Sequence, residues 1–252
     1  MILGILQARV SSKRLPAKVL LPLVGKPMLL RQFERLQRSH FLDQLIIATS
    51  TDSSDDPIED LCKTEGIHCF RGSLEDVLSR FYHASLNFKP DQIARFTGDC
   101  PLSDPKIVDR VIQFHLTEKF DYSSNSLDPT FPDGLDTEVF TFSALEMAYQ
   151  KAKLTSDREH VTPFLYHHPE TFHLGSYRNE TNLSHLRLTI DEAVDYEVVS
   201  LIFEQLFPRK PDFDLDDALN FLSQNKILQT LNRKVIRNEG YQKSLAMDNQ
   251  VL

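Results

Sequence analysis

The chain has 252 residues, of which 41% are hydrophobic and 25% charged, with a formal net charge of −8. That length holds one large α/β domain. The acidic balance excludes a general nucleic-acid binder, which needs a basic face, and no apolar run approaches the ~20 residues that span a bilayer. Residues 2–6 (ILGIL) read as a buried strand, with no basic leader before them. Further strands are expected at 44–48, 67–70 and 92–96, separated by amphipathic helices near 27–39, 56–65 and 74–87. This alternation predicts an α/β fold with a mostly parallel mixed sheet flanked by helices, which binds ligands at the C-terminal ends of its strands. The polar clusters QARVSSKR, TSTDSSDD and TGDCP fall at those ends.

A helix is expected over 105–118, with Asp104 as its cap and Pro105 first. A short strand, a Pro/Asp/Gly turn region and a second strand fill 120–140. Helices near 143–153 and 157–167, strands at 172–177 and 185–190, a helix at 192–206 and a helical stretch at 214–232 follow. From Arg233 the chain is polar and basic and reads as a loosely attached tail. Cys62, Cys69 and Cys100 are odd in number and irregularly spaced, which fits reduced thiols and a cytoplasmic location.

The loop after the first strand carries the clearest local signal. Between Arg9 and Lys26 lie Arg9, Lys13, Arg14, Lys18 and Lys26 and no acid. Cations and loop N–H groups presented at a strand end suit a triphosphate. The spacing is neither that of a Walker A loop nor that of a dinucleotide loop. A solvated basic loop is the alternative.

The loop meets the pattern A-R-x-x-S-x-R-[LF]-P-x-K through Ala8, Arg9, Ser12, Arg14, Leu15, Pro16 and Lys18. In this it resembles the signature loop of sugar nucleotidyltransferases with a GT-A-like, Rossmann-like fold. The nearest resemblance is to SpsF-like cytidylyltransferases, in the branch that includes CMP-Kdo and CMP-N-acylneuraminate synthetases. LVGKPML (23–29), RGSLEDVLSRF (71–81), TGDCP (97–101), FPDGLDTEVF (131–140), REHVTPFLYHHP (158–169) and LRLTIDEAVDYEVV (186–199) extend the likeness along most of the chain.

The resemblance implies a sugar nucleotidyltransferase that condenses CTP with an acidic sugar, with Mg2+, for surface polysaccharide biosynthesis. It implies nucleotide contacts from Gln7, Ala8, Arg9, Ser12, Arg14, Lys18, Arg71, Gly72, Ser73 and Asp99. Arg9, Lys18 and Asp99 would be catalytic, and Asp99 and Asp191 would hold the metal. Asp133, Asp136, Arg158 and His160 would line the sugar pocket. One domain is expected over 1–232, with a sugar-binding or dimerisation subregion near 120–185 and a tail over 233–252. No nucleic acid or membrane partner is expected, and related enzymes are commonly homodimers.

Plainer readings stand beside these. Ser73 and Asp76 fit a helix cap and its third position, Asp99 a turn before a proline helix start, and Asp191 an N-cap. Another base, a non-sugar acceptor, a GT-A glycosyltransferase (DLD at 214–216 spells its D-x-D) and a non-catalytic fold relative are the competing functions.

Overall fold

The structure, a computed structural model, describes residues 1–235 and 237–248. Strand β1 (Ile2–Gln7) is followed by the short strands β2 (Pro22–Leu23) and β3 (Lys26–Pro27) and by helix α1 (Met28–Leu36). β2 and β3 form a separate hairpin, and its turn residues Val24 and Gly25 take φ of 46° and 77°. Two positive φ values in succession are what a tight two-residue hairpin turn of type I′ requires.

Next come β4 (Gln44–Ser50), α2 (Asp56–Glu65), β5 (Cys69–Gly72), α3 (Val77–Leu86), β6 (Gln92–Thr97) and α4 (Pro105–Glu118). The second half holds β7 (Tyr122–Ser124), β8 (Glu138–Thr141), α5 (Phe142–Lys151), α6 (Thr155–His160), α7 (Pro163–Tyr166) and β9 (Leu174–Ser176). It ends in α8 (Ala193–Leu206), α9 (Leu215–Gln224), α10 (Leu228–Leu231) and α11 (Glu239–Asp248). No helix among the described residues is long and apolar enough to cross a membrane.

Seven strands form one sheet in the order β5-β4-β1-β6-β8-β7-β9. The first four run parallel, β8 is antiparallel to β6 and β7, and β9 is parallel to β7. The mostly parallel mixed sheet read from the sequence is therefore present. Leu3 and Ile5 of β1, Ile46 of β4 and Ile93 of β6 face one core with Phe81 and Phe140. Leu6, Ile47 and Phe96 face the other with Met28, Val111 and Ile202. Burial on both faces explains why these strands are continuous apolar runs without alternation. From β1 the chain builds outward through β4 and β5, then returns to place β6 on the other side of β1. Such a reversal of strand order opens a crevice at the strands' C-terminal ends.

Several local expectations are corrected. The strand read at 67–70 forms at 69–72. Helix α3 starts at Val77 because Asp76 is its cap, accepting from Ser79 N at 2.9 Å, while Ser73 Oγ accepts from Asp76 N at 3.0 Å. The helix read over 157–167 is two short helices, interrupted at Val161 (φ 74°) and before Pro163. The stretch 214–232 divides at Asn225 into α9 and α10.

Residues 185–190 join no ladder beyond one bridge, Asp133 to Arg187. Their backbone bonds loops instead: Leu188 N donates to Asp133 O at 2.7 Å and Ile190 N to Asp99 O at 2.8 Å. The segment read as a loose tail holds helix α11, whose Ser244 is buried and donates to Glu159 at 2.7 Å on α6. Residues 236 and 249–252 of that segment lie outside the described residues.

Candidate active site

The expected site lies where β1 and β6 end side by side. Gly98 N donates to Gln7 O at 2.8 Å, and a Cβ on Gly98 would stand 2.9 Å from that same oxygen. Only glycine lets the two strand ends come this close. The loop after β1 is pinned by Asp55, a fully buried residue the sequence reading passed over. Its carboxylate accepts from Val10 N at 2.6 Å and from Ser50 N at 3.1 Å. It thus ties the basic loop to the end of β4. Ser12 Oγ accepts from Leu15 N at 3.4 Å, and Ala17 turns through φ 54°. Lys18 follows that turn directly, and its side chain is largely buried.

Lys18 is the centre of the site. Its Nζ donates to Asp99 Oδ2 at 3.0 Å, to Asp191 Oδ1 at 2.9 Å and to the Ile190 carbonyl at 2.7 Å. The ammonium has three protons and all three are used. Asp99 stands two residues past the end of β6, and Asp191 comes from the far half of the chain. The two acids thus meet on one cation. Burial penalises the Lys18 charge, but Asp99 and Asp191 outweigh it and raise its pKa above the usual lysine value. Burial likewise opposes ionisation of Asp99, and the Lys18 ammonium with bonds from Thr97 and Cys100 overrides it. Asp99 is held well below the usual carboxylate range.

Asp191 is not the cap of α8. Glu192 takes that position, with its N–H donated to Asp195 at 3.0 Å, which leaves the Asp191 carboxylate to bond Lys18 and Arg187 and not its own helix. Arg14 also reaches Asp191, at 2.7 Å, and pairs with Glu239 at 3.2 Å. Arg9 is exposed at the mouth of the loop and pairs with no acid among the described residues. Gln7 accepts from Arg95 Nε at 3.0 Å, and Ala8 is buried at the strand end.

The other expected contacts divide. Arg71 spends its guanidinium on Asp56 and Glu59 of α2, at 2.7 and 2.8 Å, and on the Ser50 and Asp52 carbonyls. Gly72 and exposed Ser73 lie at the end of β5, two strands from β1. Buried Arg80, unnoticed in the sequence, donates to the Ser73 and Leu74 carbonyls and holds that loop against α3.

Asp133 bonds Arg187 at 2.6 Å and Asp136 bonds Arg237 at 2.8 Å. Burial raises both pKa values despite these arginines, that of Asp136 to about 6. Arg158 bonds Asp76 at 3.0 Å and the Tyr149 carbonyl at 2.8 Å. His160 faces Ser244 at 3.0 Å and packs edge-on to Tyr241. The structure therefore gathers Arg14, Lys18, Asp99, Asp191 and, through Arg187, Asp133, and it gives Arg158 and His160 partners elsewhere. The DLD triplet is also structural, since Asp214 caps α9 and pairs with Lys106 at 2.7 Å.

A mostly parallel sheet with a cationic loop and two carboxylates converging at its switch point suits an α/β protein that binds an anionic ligand there. The chain belongs to the cytidylyltransferase family, whose family model matches residues 3–234. Its relatives place it with the SpsF-like members. The chain is 35% identical to the spore coat polysaccharide biosynthesis protein SpsF of Bacillus subtilis, over 89% of this chain and 95% of that one. An uncharacterised protein of Methanocaldococcus jannaschii is 39% identical over 95% of this chain and 97% of its own length.

A solved cytidylyltransferase from Leptospira borgpetersenii superposes with a TM-score of 0.87 at 32% identity, covering 94% of this chain and 99% of that one. The solved CMP:2-keto-3-deoxy-manno-octonic acid synthetase, complexed with CTP, shares the fold at a TM-score of 0.63 and 16% identity, covering 81% of this chain and 98% of that one.

Proposed function

We propose that this cytidylyltransferase condenses CTP with an acidic sugar, giving a CMP-sugar and pyrophosphate for surface polysaccharide synthesis. The observation that carries the reading is the meeting of Asp99 and Asp191 on the Lys18 ammonium. Two carboxylates are as many as a magnesium ion commonly takes from protein. No group of three or more His, Cys, Asp or Glu suited to a metal exists among the described residues. Phosphate oxygens and water therefore complete the shell in this proposal. The ion, when bound, neutralises triphosphate oxygens and makes the α-phosphorus easier to attack.

The chain's own groups do the rest. Arg9 and Lys18 offset the charge of the triphosphate and of departing pyrophosphate. Gln7, Ala8, Ser12 and Arg14 hold the nucleotide at the end of β1, with Gly72 and Ser73 toward the base. Asp133 and Asp136 line the acceptor side, and Arg158 and His160 belong there only if their present partners release them. The sugar hydroxyl attacks in line, and no covalent enzyme intermediate is needed, because positioning and electrostatics supply the rate. The same proposal includes a cytoplasmic homodimer that pairs through 120–185.

Pyrophosphate release tests the reading, with each of four NTPs against a set of nonulosonic and octulosonic acids. CTP alone should support it, and Asp99→Ala should abolish it while leaving the thermal unfolding transition intact. Full activity in that variant removes the metal assignment, and equal use of all four NTPs removes the base assignment.

A further inference from the structure

The residue that fixes Asp191 is Arg187. Its side chain is only 6% exposed and touches three carboxylates. Nη1 bonds Asp133 at 2.6 Å, Nη2 bonds Asp191 Oδ2 at 2.7 Å and Asp195 Oδ2 at 3.1 Å, and Nε bonds Asp195 Oδ1 at 2.9 Å.

Asp195 is wholly buried and is itself held from four sides. It accepts from Arg187, from Asp191 N and Glu192 N at 3.0 Å each, and from Asn232 Nδ2 at 2.9 Å. Asn232 closes the ring by donating to the Arg187 carbonyl at 3.1 Å. The backbone is stitched at the same place. Asp133 N donates to Leu186 O at 3.0 Å and Leu188 N to Asp133 O at 2.7 Å. The guanidinium is thus seated before any ligand arrives.

The arrangement has a direction. With Oδ2 of Asp191 taken by Arg187, Oδ1 is the oxygen that faces Lys18 and Asp99. Without that grip the Asp191 carboxylate is held through Oδ1 alone, by Lys18 and Arg14, and its orientation beside Asp99 loses definition. Arg187 also joins this edge of the crevice to Asp133 on the acceptor side. A planar guanidinium can serve three carboxylates at fixed angles, and a lysine ammonium cannot.

We propose that Arg187 is a positioning residue, seated on Asp195 and Asn232, that presents Asp191 beside Asp99 for the metal–nucleotide complex and couples that edge to Asp133. The proposal rests on the metal–CTP reading above.

The test is Mn2+ binding in the presence of CTP, with free Mn2+ read by its paramagnetic resonance signal and CTP binding without metal measured separately. In Arg187→Lys the half-saturating Mn2+ should rise about tenfold, while metal-free CTP affinity stays within twofold. A merely structural defect lowers the folded fraction without moving the half-saturation point. Asp195→Asn, which keeps the shape and removes the charge that seats the guanidinium, should move it in the same direction should the lysine variant fail to fold. An unchanged half-saturation in either folded variant overturns the role of Arg187. A wild-type protein that binds no Mn2+ with CTP overturns the metal–nucleotide reading itself, and the two failures are told apart by that control.

Discussion

Lys18 stands where a divalent cation would be expected to compete for the same two carboxylates. Removing one partner from a largely buried charge cluster leaves the others uncompensated. Lys18→Met should therefore lower stability by roughly 2–4 kcal/mol. Added Mg2+ should restore much of the loss, because it supplies the missing positive charge. Thermal melts with and without the metal check this, and a variant as stable as wild type, or one indifferent to Mg2+, refutes it.

The residues at this centre were legible because each stands in a fixed local pattern. Lys18 closes the A-R-x-x-S-x-R-L-P-x-K run, and Asp99 follows an apolar strand. Arg187 and Asp55 were not legible, since what marks them is a partner far away in the chain, Asp133 and Val10; Arg80 bonds the Ser73 carbonyl only seven residues back, but that loop has no periodic pattern to announce the bond. A local clue existed only for Arg187, a cation set among Leu186, Leu188 and Ile190.

At the scale of elements, the strands that fill the sheet's centre announced themselves, because burial on both faces forces an unbroken apolar run. Segments whose backbone bonds go to loops did not. Residues 185–190 have the composition of a strand, yet their N–H groups are spent on Asp133 and Asp99. The close approach of these loops depends on Gly134. It has φ 102°, and a Cβ there would lie 2.4 Å from Thr189 N. Gly134→Ala meets both a disfavoured backbone region and a clash with backbone that has nowhere to go. It should cost about 1–3 kcal/mol or more and should weaken nucleotide binding more than a control such as Gly25→Ala, where a Cβ meets nothing within 4 Å. Equal effects of the two substitutions would contradict this account of the loop junction. The C-terminal helix was missed for a related reason: its sequence is polar, and its docking rests on single side chains such as Ser244 meeting Glu159.

For the molecule as a whole, one buried histidine predicts a pH dependence of stability with a definite sign. His115 is 1% exposed, between Ser123 Oγ and Gln92 Oε1 at 3.0 Å each, and joins α4 to β7 and β6. Burial pushes its pKa down from 6.5 to about 4. Between those values the unfolded chain binds a proton there and the folded protein does not. Stability therefore falls as pH drops through that interval, by roughly 1.4 kcal/mol per pH unit at most. His115→Gln should flatten this slope in denaturant melts taken from pH 6.5 to 4. An unaltered slope would place the sensitivity elsewhere.

The order in which the ammonium and its acids occur along the chain has one more consequence. All seven strands of the large sheet are complete by Ser176, yet Asp191 has still to come. A ribosome therefore releases Lys18 first, then a single acid, and long afterwards the second. A fragment cut by a protease in the stretch between β9 and α8 would retain every strand and lack half of the carboxylate pair. Such a fragment would also lack Leu188, Ile190, Ile202 and Phe203 of one of the two cores packed on that sheet, so losing the second acid and losing the fold should coincide.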